Sequence, residues 1–98
     1  MSDEERYIKT ESIDFNKFNP NQMTPEKYAA LKASIKQDGI QQPVILRRKG
    51  KRFEMVDGEN RTRIAKSLKF LTVKAIIKDI DDQEAMRLCY KVNSDRNN

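Results

Sequence analysis

The sequence has no histidine and only one cysteine, Cys89, among its 98 residues. Without histidine the chain has no imidazole general base and no histidine metal ligand, so Ser-His and Cys-His catalytic arrangements are excluded. With one cysteine, no disulfide can form within the chain. Cys89 lies in a helical pattern between Leu88 and Tyr90, so we interpret it as a small buried apolar residue and not as a nucleophile.

Long hydrophobic runs are also missing. No apolar run approaches the length of a membrane span, and the charged residues 1–14 do not form a signal peptide. We therefore expect a cytoplasmic protein without a membrane partner. The length is that of one domain covering residues 1–98, of which we expect residues 1–6 to be disordered. The net charge of +5 favours polyanionic partners.

Hydrophobic periodicity and turn residues predict the order of the structural elements. The predicted elements are a strand at 7–13, a loop at 14–22, a helix at 25–38, a hairpin at 44–56, a helix at about 59–69, a strand at 72–77 and a helix that begins after Asp81. The signals for the first helix are Thr24 as N-cap, Pro25 at the first helical position and Gly39 at the end. Asp81 with Glu84 predicts a capped start for the last helix.

The stretch from Val56 to Ala65 is the most informative one. A strand that ends at Val56 passes through an Asp57-Gly58 turn into a helix with charged and amide residues at its start. A helix N-terminus has unpaired N–H groups and a partial positive charge, so arginines beside it indicate a phosphate site. On composition alone a plain turn followed by a solvated helix face is the favoured alternative.

Two further stretches favour the phosphate site over the plain turn. Gly39-Ile40-Gln41-Gln42-Pro43 precedes the hairpin, and Val92-Asn93-Ser94-Asp95-Arg96 follows the last helix. In this order the three stretches resemble the N-terminal nucleotide-binding domain of ParB, the chromosome- and plasmid-partition protein, within the ParB/sulfiredoxin superfamily. The resemblance extends from about Ile13 to Arg96. It implies an α+β fold with a small mixed β-sheet flanked by helices.

The resemblance also implies a cleft that binds a nucleoside triphosphate, usually CTP, together with Mg²⁺. The positions that it assigns to nucleotide binding are Gly39, Gln42, Pro43, Gly58, Glu59, Asn60, Arg61, Arg63, Asn93 and Arg96. Arg61 is the first candidate for a forked contact to phosphate oxygens. Glu59 and Asn93 carry oxygen atoms suited to a phosphate-bound Mg²⁺. Because the nucleotide controls self-association in the family, the resemblance implies a homodimer.

The match departs from the family at two positions. Asn60 stands where the family has the first arginine of a pair, which weakens the phosphate clamp. Val92 replaces an acidic residue. The resemblance therefore favours binding over turnover, with at most slow nucleoside triphosphatase activity. ParB continues into a helix-turn-helix DNA-binding domain beyond the point where this sequence ends, so an excised domain and a stand-alone relative both stay open.

Other members of the superfamily suggest an alternative enzyme. Some are free-serine kinases that use a glutamate at this turn as catalytic base, which makes Glu59 a candidate catalytic residue. Sulfiredoxin carries its reactive cysteine at the corresponding turn. Here that turn contains Glu59, so sulfinic acid reductase activity is disfavoured.

A run of cations on the predicted hairpin suggests contact with DNA. Its members are Arg47, Arg48, Lys49, Lys51 and Arg52. Cations at this density can bind the DNA backbone, although a solvated hairpin tip is the simpler interpretation. Nucleotide-independent DNA binding is thus a third alternative for the function.

Overall fold

The computed structural model describes residues 4–15 and 23–88, which fold into a five-stranded sheet with helices packed on it. The elements are β1 (Glu4–Lys9), a 3₁₀ turn (Thr10–Ser12), β2 (Ile13–Asp14), α1 (Pro25–Asp38), β3 (Val44–Lys49), β4 (Arg52–Asp57), α2 (Glu59–Ser67) and β5 (Thr72–Lys78). A further helix, α3, covers 82–88, where the described residues end. Within the described residues, no helix is long and apolar enough to cross a membrane.

The sheet is mixed and has β3 at its centre. The strand order is β1-β5-β3-β4-β2. β3 pairs antiparallel with β4 and parallel with β5, while β1 pairs antiparallel with β5 and β2 pairs parallel with β4. The α+β class with a small mixed sheet is therefore confirmed. Because β3 and β4 are antiparallel, the start of β3 lies beside the end of β4, and Ile45 pairs with Asp57.

One face of the sheet forms the core. Along β5 the buried residues Val73, Ala75 and Ile77 alternate with more exposed ones, as expected for a strand covered mainly on one side. Leu46 of β3 and Ala65 of α2 join the same cluster. Helices α1 and α2 pack against each other. Each fully buried large aliphatic side chain of this cluster contributes about 1.5–3 kcal/mol.

Helix α1 has the bounds that its end signals predict. The Thr24 hydroxyl accepts a hydrogen bond from the backbone N–H of Lys27 at 3.2 Å. At the other end the N–H of Gly39 donates to the carbonyl of Ile35 at 2.8 Å. The hairpin is confirmed too. The helix predicted at about 59–69 ends earlier, at Ser67. At the start of α3, the carboxylate of Asp81 accepts from the N–H of Glu84 at 2.8 Å, so the predicted cap is present.

The prediction of a single strand at 7–13 was wrong in its bounds. The strand begins at Glu4 and breaks at Thr10, whose backbone N–H donates to the carbonyl of Leu71 and whose hydroxyl donates to that of Phe70. This 3₁₀ turn carries the chain from one sheet edge, beside β5, to the other, beside β4.

The expectation of disorder at residues 1–6 was also wrong for Glu4–Arg6. These residues pair with Ala75–Ile77 of β5, and Glu5 forms an ion pair with Lys74 at 3.0 Å. Cross-strand pairing therefore orders them despite their polar composition. Residues 1–3 lie outside the described residues.

Arg47 is a structural residue of the sheet, which corrects its assignment to the DNA-binding set. It is only 3% exposed. Its guanidinium donates to Glu54 at 2.8 Å and also contacts Asp82 and the carbonyl of Ile80. Arg47 therefore connects the start of α3 to the hairpin. Burial alone would lower the pKa of Arg47, but hydrogen bonds to Asp82 and Glu54 outweigh burial and raise it.

This arrangement predicts unequal effects for two neighbouring arginines of β3. Arg47→Ala leaves the buried carboxylate of Glu54 without its main partner, so it should lower the free energy of unfolding by about 3–5 kcal/mol. Arg48→Ala is the matched control. It removes an exposed pair with Glu4 and a cation 5.8 Å from the centre of the Phe53 ring, so it should cost only about 1 kcal/mol. Urea unfolding of both variants measures the difference, and equal losses would contradict a structural role for Arg47.

Candidate functional site

The candidate site lies where the turn after β4 meets the start of β3. At this point Gly58 adopts φ 107°, in the left-handed region that favours glycine. A Cβ atom on Gly58 would lie only 2.6 Å from Cγ1 of Val44. Gly58 is thus needed both for its backbone conformation and for its close contact with the central strand.

Arg61 joins the connector between α1 and β3, residues 39–43, to the start of α2. One guanidinium nitrogen, Nη1, donates to the carbonyl of Gln42 at 3.0 Å and lies 3.4 Å from that of Pro43. The other, Nη2, is 3.5 Å from the carboxylate of Asp57, and the side chain is only 13% exposed. Two of the three stretches that carried the resemblance therefore meet in one surface, with Arg61 between them.

Glu59 and Arg63 form an ion pair on the adjoining face of α2. Nε and Nη2 of Arg63 lie 2.9 and 2.8 Å from Oε2 of Glu59. The spacing of four residues brings the two side chains together on the helix surface. Both contacts go to the same carboxylate oxygen of Glu59. Its assignment as a catalytic residue stays a prediction.

The helix end itself favours anions. Gly58 provides no side-chain cap to α2, in contrast to Thr24 at α1. The N-terminus of α2 carries the partial positive charge of the helix, and the half-buried Asn60 lies in its first turn. A helix start whose N-cap residue has no side chain, with amide and guanidinium groups beside it, can bind a phosphate group.

The third stretch of the resemblance lies outside the described residues. Val92, Asn93 and Arg96 belong to it, so their assignments stay predictions. Gly39, the first residue of the connector, ends α1 with φ 78°.

Three residues of this region were missed by sequence reasoning. Asp57 could have been found, because it precedes Arg61 by four residues and the pair suits a helix start. Val44, which lies against Gly58, and Phe15, whose ring lies beside Arg63, carry no local signal, since their contacts depend on strand pairing and on the packing of α2.

The exposed cations of the hairpin are largely neutralised by carboxylates. Arg48 pairs with Glu4 at 2.7 Å, and Lys49 lies 3.3 Å from Glu54. Arg52 pairs with Asp14 at 2.9 Å, and its hydrogen bond lowers the pKa of that carboxyl group. Lys51 lies exposed at the hairpin tip. The positive potential is therefore weaker here than five cations in six positions predict.

Comparison with known proteins identifies relatives along almost the whole chain. The family described as the ParB N-terminal domain has a model that matches residues 1–94. The nucleoid occlusion protein of Geobacillus kaustophilus is 36% identical over 96 residues, which cover 96% of this chain and 34% of that protein. The chain thus spans about a third of the length of the curated relatives it matches.

Solved structures share the fold. C-terminally truncated ParB from Caulobacter crescentus has a TM-score of 0.82 in its complex with CTP-gamma-S, with 24% identity over 92% of this chain and 52% of that one. In its complex with the centromeric parS site the TM-score is 0.70, with 23% identity over 86% of this chain and 44% of that one. Sulfiredoxin from Arabidopsis thaliana has a TM-score of 0.69 and 20% identity over 89% of this chain and 97% of that one.

The contact between Gly58 and Val44 predicts a loss of stability when a side chain is added at position 58. Gly58→Ala forces a left-handed conformation on alanine and an overlap with Val44, so the free energy of unfolding should fall by about 2–4 kcal/mol. Gly50→Ala is the matched control, because Gly50 also has positive φ but no atom lies within 4 Å of the place that its Cβ would take. It should cost about 1–2 kcal/mol. Urea unfolding checks both, and equal costs would show that the contact with Val44 is unimportant.

Proposed function

Because this chain belongs to the ParB N-terminal domain family, we propose that it is a nucleotide-responsive module of a DNA-partition or DNA-regulatory protein. Its ligand in this proposal is a nucleoside triphosphate with Mg²⁺, and CTP is favoured. The proposed site is the surface formed by the connector 39–43 and the start of α2. Association into a homodimer would respond to the nucleotide, and hydrolysis would be slow at most.

One observation carries the proposal. The hydrogen bonds of Arg61 to the carbonyls of Gln42 and Pro43 unite two sequence stretches that are about 20 residues apart. They form a single surface at the N-terminus of a helix, which is a favourable place for phosphate groups. The complex of the Caulobacter crescentus relative with CTP-gamma-S supports a cytidine nucleotide as the ligand.

The residues of the surface suit a triphosphate that brings its own metal ion. Asn60 can donate an amide hydrogen bond, and Arg63 can donate charge-assisted ones. Mg²⁺ is usually bound through one or two carboxylates together with phosphate oxygens and water. Asp57, the other carboxylate of this surface, contacts Arg61, so Glu59 is the carboxylate that we assign to the metal ion. Asn93 is the further oxygen donor that the resemblance implies.

The DNA part of the proposal assigns backbone contacts to the exposed cations of the hairpin. These are Arg48, Lys49, Lys51 and Arg52. The complex of the Caulobacter crescentus relative with the parS site supports DNA as a partner. Because three of the four cations are already paired with carboxylates, phosphate groups would have to compete with these pairs, and each contact would add less affinity than a free cation.

Asn60 allows nucleotide binding to be separated from fold stability. Asn60→Arg adds a cation for the phosphates, so CTP with Mg²⁺ should raise the melting temperature more than in the wild type. Without nucleotide the same change should lower stability by about 0.3–1 kcal/mol, because a cation at a helix N-terminus is unfavourable. Asn60→Asp should do the reverse, with a more stable empty protein and less protection by nucleotide. Thermal unfolding with and without CTP, ATP, GTP and UTP measures both effects.

Glu26→Gln serves as the control for this pair. Like Asn60→Arg, it makes the charge in the first turn of a helix more positive, here by one unit. The helix is α1, and Glu26 lies at the end of α1 that is far from the connector. It should lower stability without changing protection by nucleotide. The proposed site is refuted if neither Asn60 variant changes that protection, and the nucleotide part of the function is refuted if no nucleotide protects the wild type.

The hairpin assignment predicts a change in the salt dependence of DNA binding. Lys51→Ala removes one phosphate contact, so the slope of log affinity against log salt should fall by about one unit. Lys27→Ala, an exposed lysine of α1, is the control and should leave the slope unchanged. Fluorescence anisotropy with a duplex that contains a parS site measures the slopes. Identical slopes for the wild type and the Lys51 variant would remove the hairpin tip from the interface.

A further inference from the structure

Phe15 is packed against the face of α2 that carries Glu59 and Arg63. The guanidinium carbon of Arg63 lies 4.3 Å from the centre of the Phe15 ring, and the amine of Lys66 lies 4.9 Å from it. Lys66 also donates a hydrogen bond to the carbonyl of Ile13 at 3.1 Å. The end of β2 is thus held on α2 by two cations above one ring and by one hydrogen bond.

These contacts restrict the orientation of Arg63. Its guanidinium carbon lies over the Phe15 ring, while Nε and Nη2 contact Glu59. A guanidinium over an aromatic ring can still direct its N–H groups to acceptors. Nη1 of Arg63 has no hydrogen-bond partner in the part of the chain that the structure describes, and the side chain is 49% exposed. Arg63 is therefore both oriented and accessible.

Arg61 is also held in one orientation, but it is much less accessible than Arg63. Its guanidinium donates to backbone carbonyls of the connector and contacts Asp57, in a largely buried setting. A ligand could take over these hydrogen bonds only by dismantling the contact between the connector and α2. Arg63 can reach an anion without such a rearrangement.

We propose that Phe15 is a positioning residue of the site, which holds Arg63 in the orientation that contacts a phosphate group of the ligand. The identity of that ligand as a nucleotide rests on the proposed function. A long side chain loses conformational freedom when it binds, and a side chain that is already oriented loses less. The ring of Phe15 supplies this orientation, and its contribution requires an aromatic face and not only apolar volume.

The test uses three variants. Phe15→Leu keeps an apolar side chain but removes the ring, and Phe15→Tyr keeps the ring. Phe53→Leu is the matched control, because Phe53 is also partly buried against the core and has two cations, Arg6 and Arg48, at 5.7 and 5.8 Å from its ring centre. It lies in β4 near the hairpin tip, and the cations over its ring come from β1 and β3 and not from α2.

The first readout is the affinity for inorganic tripolyphosphate with Mg²⁺ and for CTP with Mg²⁺, by calorimetry. Phe15→Leu should weaken both by roughly three- to tenfold. Phe15→Tyr should stay within about twofold of the wild type, as should Phe53→Leu. The second readout is the Nε–H resonance of Arg63 by NMR. It should lose its ring-current shift in Phe15→Leu only, and tripolyphosphate should perturb it in the wild type.

The outcomes separate this inference from the proposed function. Wild-type affinity in Phe15→Leu, or an Arg63 resonance that tripolyphosphate does not perturb, overturns the role of Phe15. Equal losses in Phe15→Leu and Phe53→Leu also overturn it, because they indicate general destabilisation. If tripolyphosphate binds as expected but CTP binds no better than it, the choice of a cytidine nucleotide fails while the positioning role stands.

Discussion

The contact between Gly58 and Val44 determines the position of every other part of the candidate site. Val44 is the first residue of the central strand, and Gly58 is the last residue before α2. Because no side chain separates them, the start of α2 lies directly against the start of β3. The connector that leads into β3 is then within reach of Arg61. A side chain at Gly58 would push α2 outward and stretch those hydrogen bonds, so the geometry of the whole surface follows from one missing Cβ.

Local signals predicted the elements of this fold better than they predicted its connections. The bounds of α1 follow from Thr24, Pro25 and Gly39, which act within one turn of the helix ends. The break at Thr10 follows from a hydrogen bond to a carbonyl 60 residues away along the chain. No pattern around Thr10 contains that information, because its partner is set by the pairing of β1 with β5.

The basic hairpin shows how a linear charge pattern can mislead. Arg47 and Arg48 are neighbours in the sequence, but successive residues of a strand point to opposite faces. Arg47 consequently lies beneath the start of α3 with Glu54, whereas Arg48 lies at the surface beside Glu4. The carboxylates that pair with these arginines come from β4, α3 and β1. The local potential therefore depends on tertiary neighbours, and the net charge of the chain does not predict it.

The two arginines of α2 also have different surroundings because their side chains point in different directions. Arg61 and Arg63 are two residues apart, so on a helix they point in nearly opposite directions, one to the connector and one to Phe15. Asn60 is three residues before Arg63 and lies on the same side. An arginine at position 60 would add a second positive charge beside Arg63, which is unfavourable in the empty protein and favourable once an anion is bound. With asparagine at position 60 there is no repulsion with Arg63, but there is also no second cation beside Arg63 for a phosphate group. In the proposed site, anion binding would then depend on Arg63, and so on the aromatic ring that orients it.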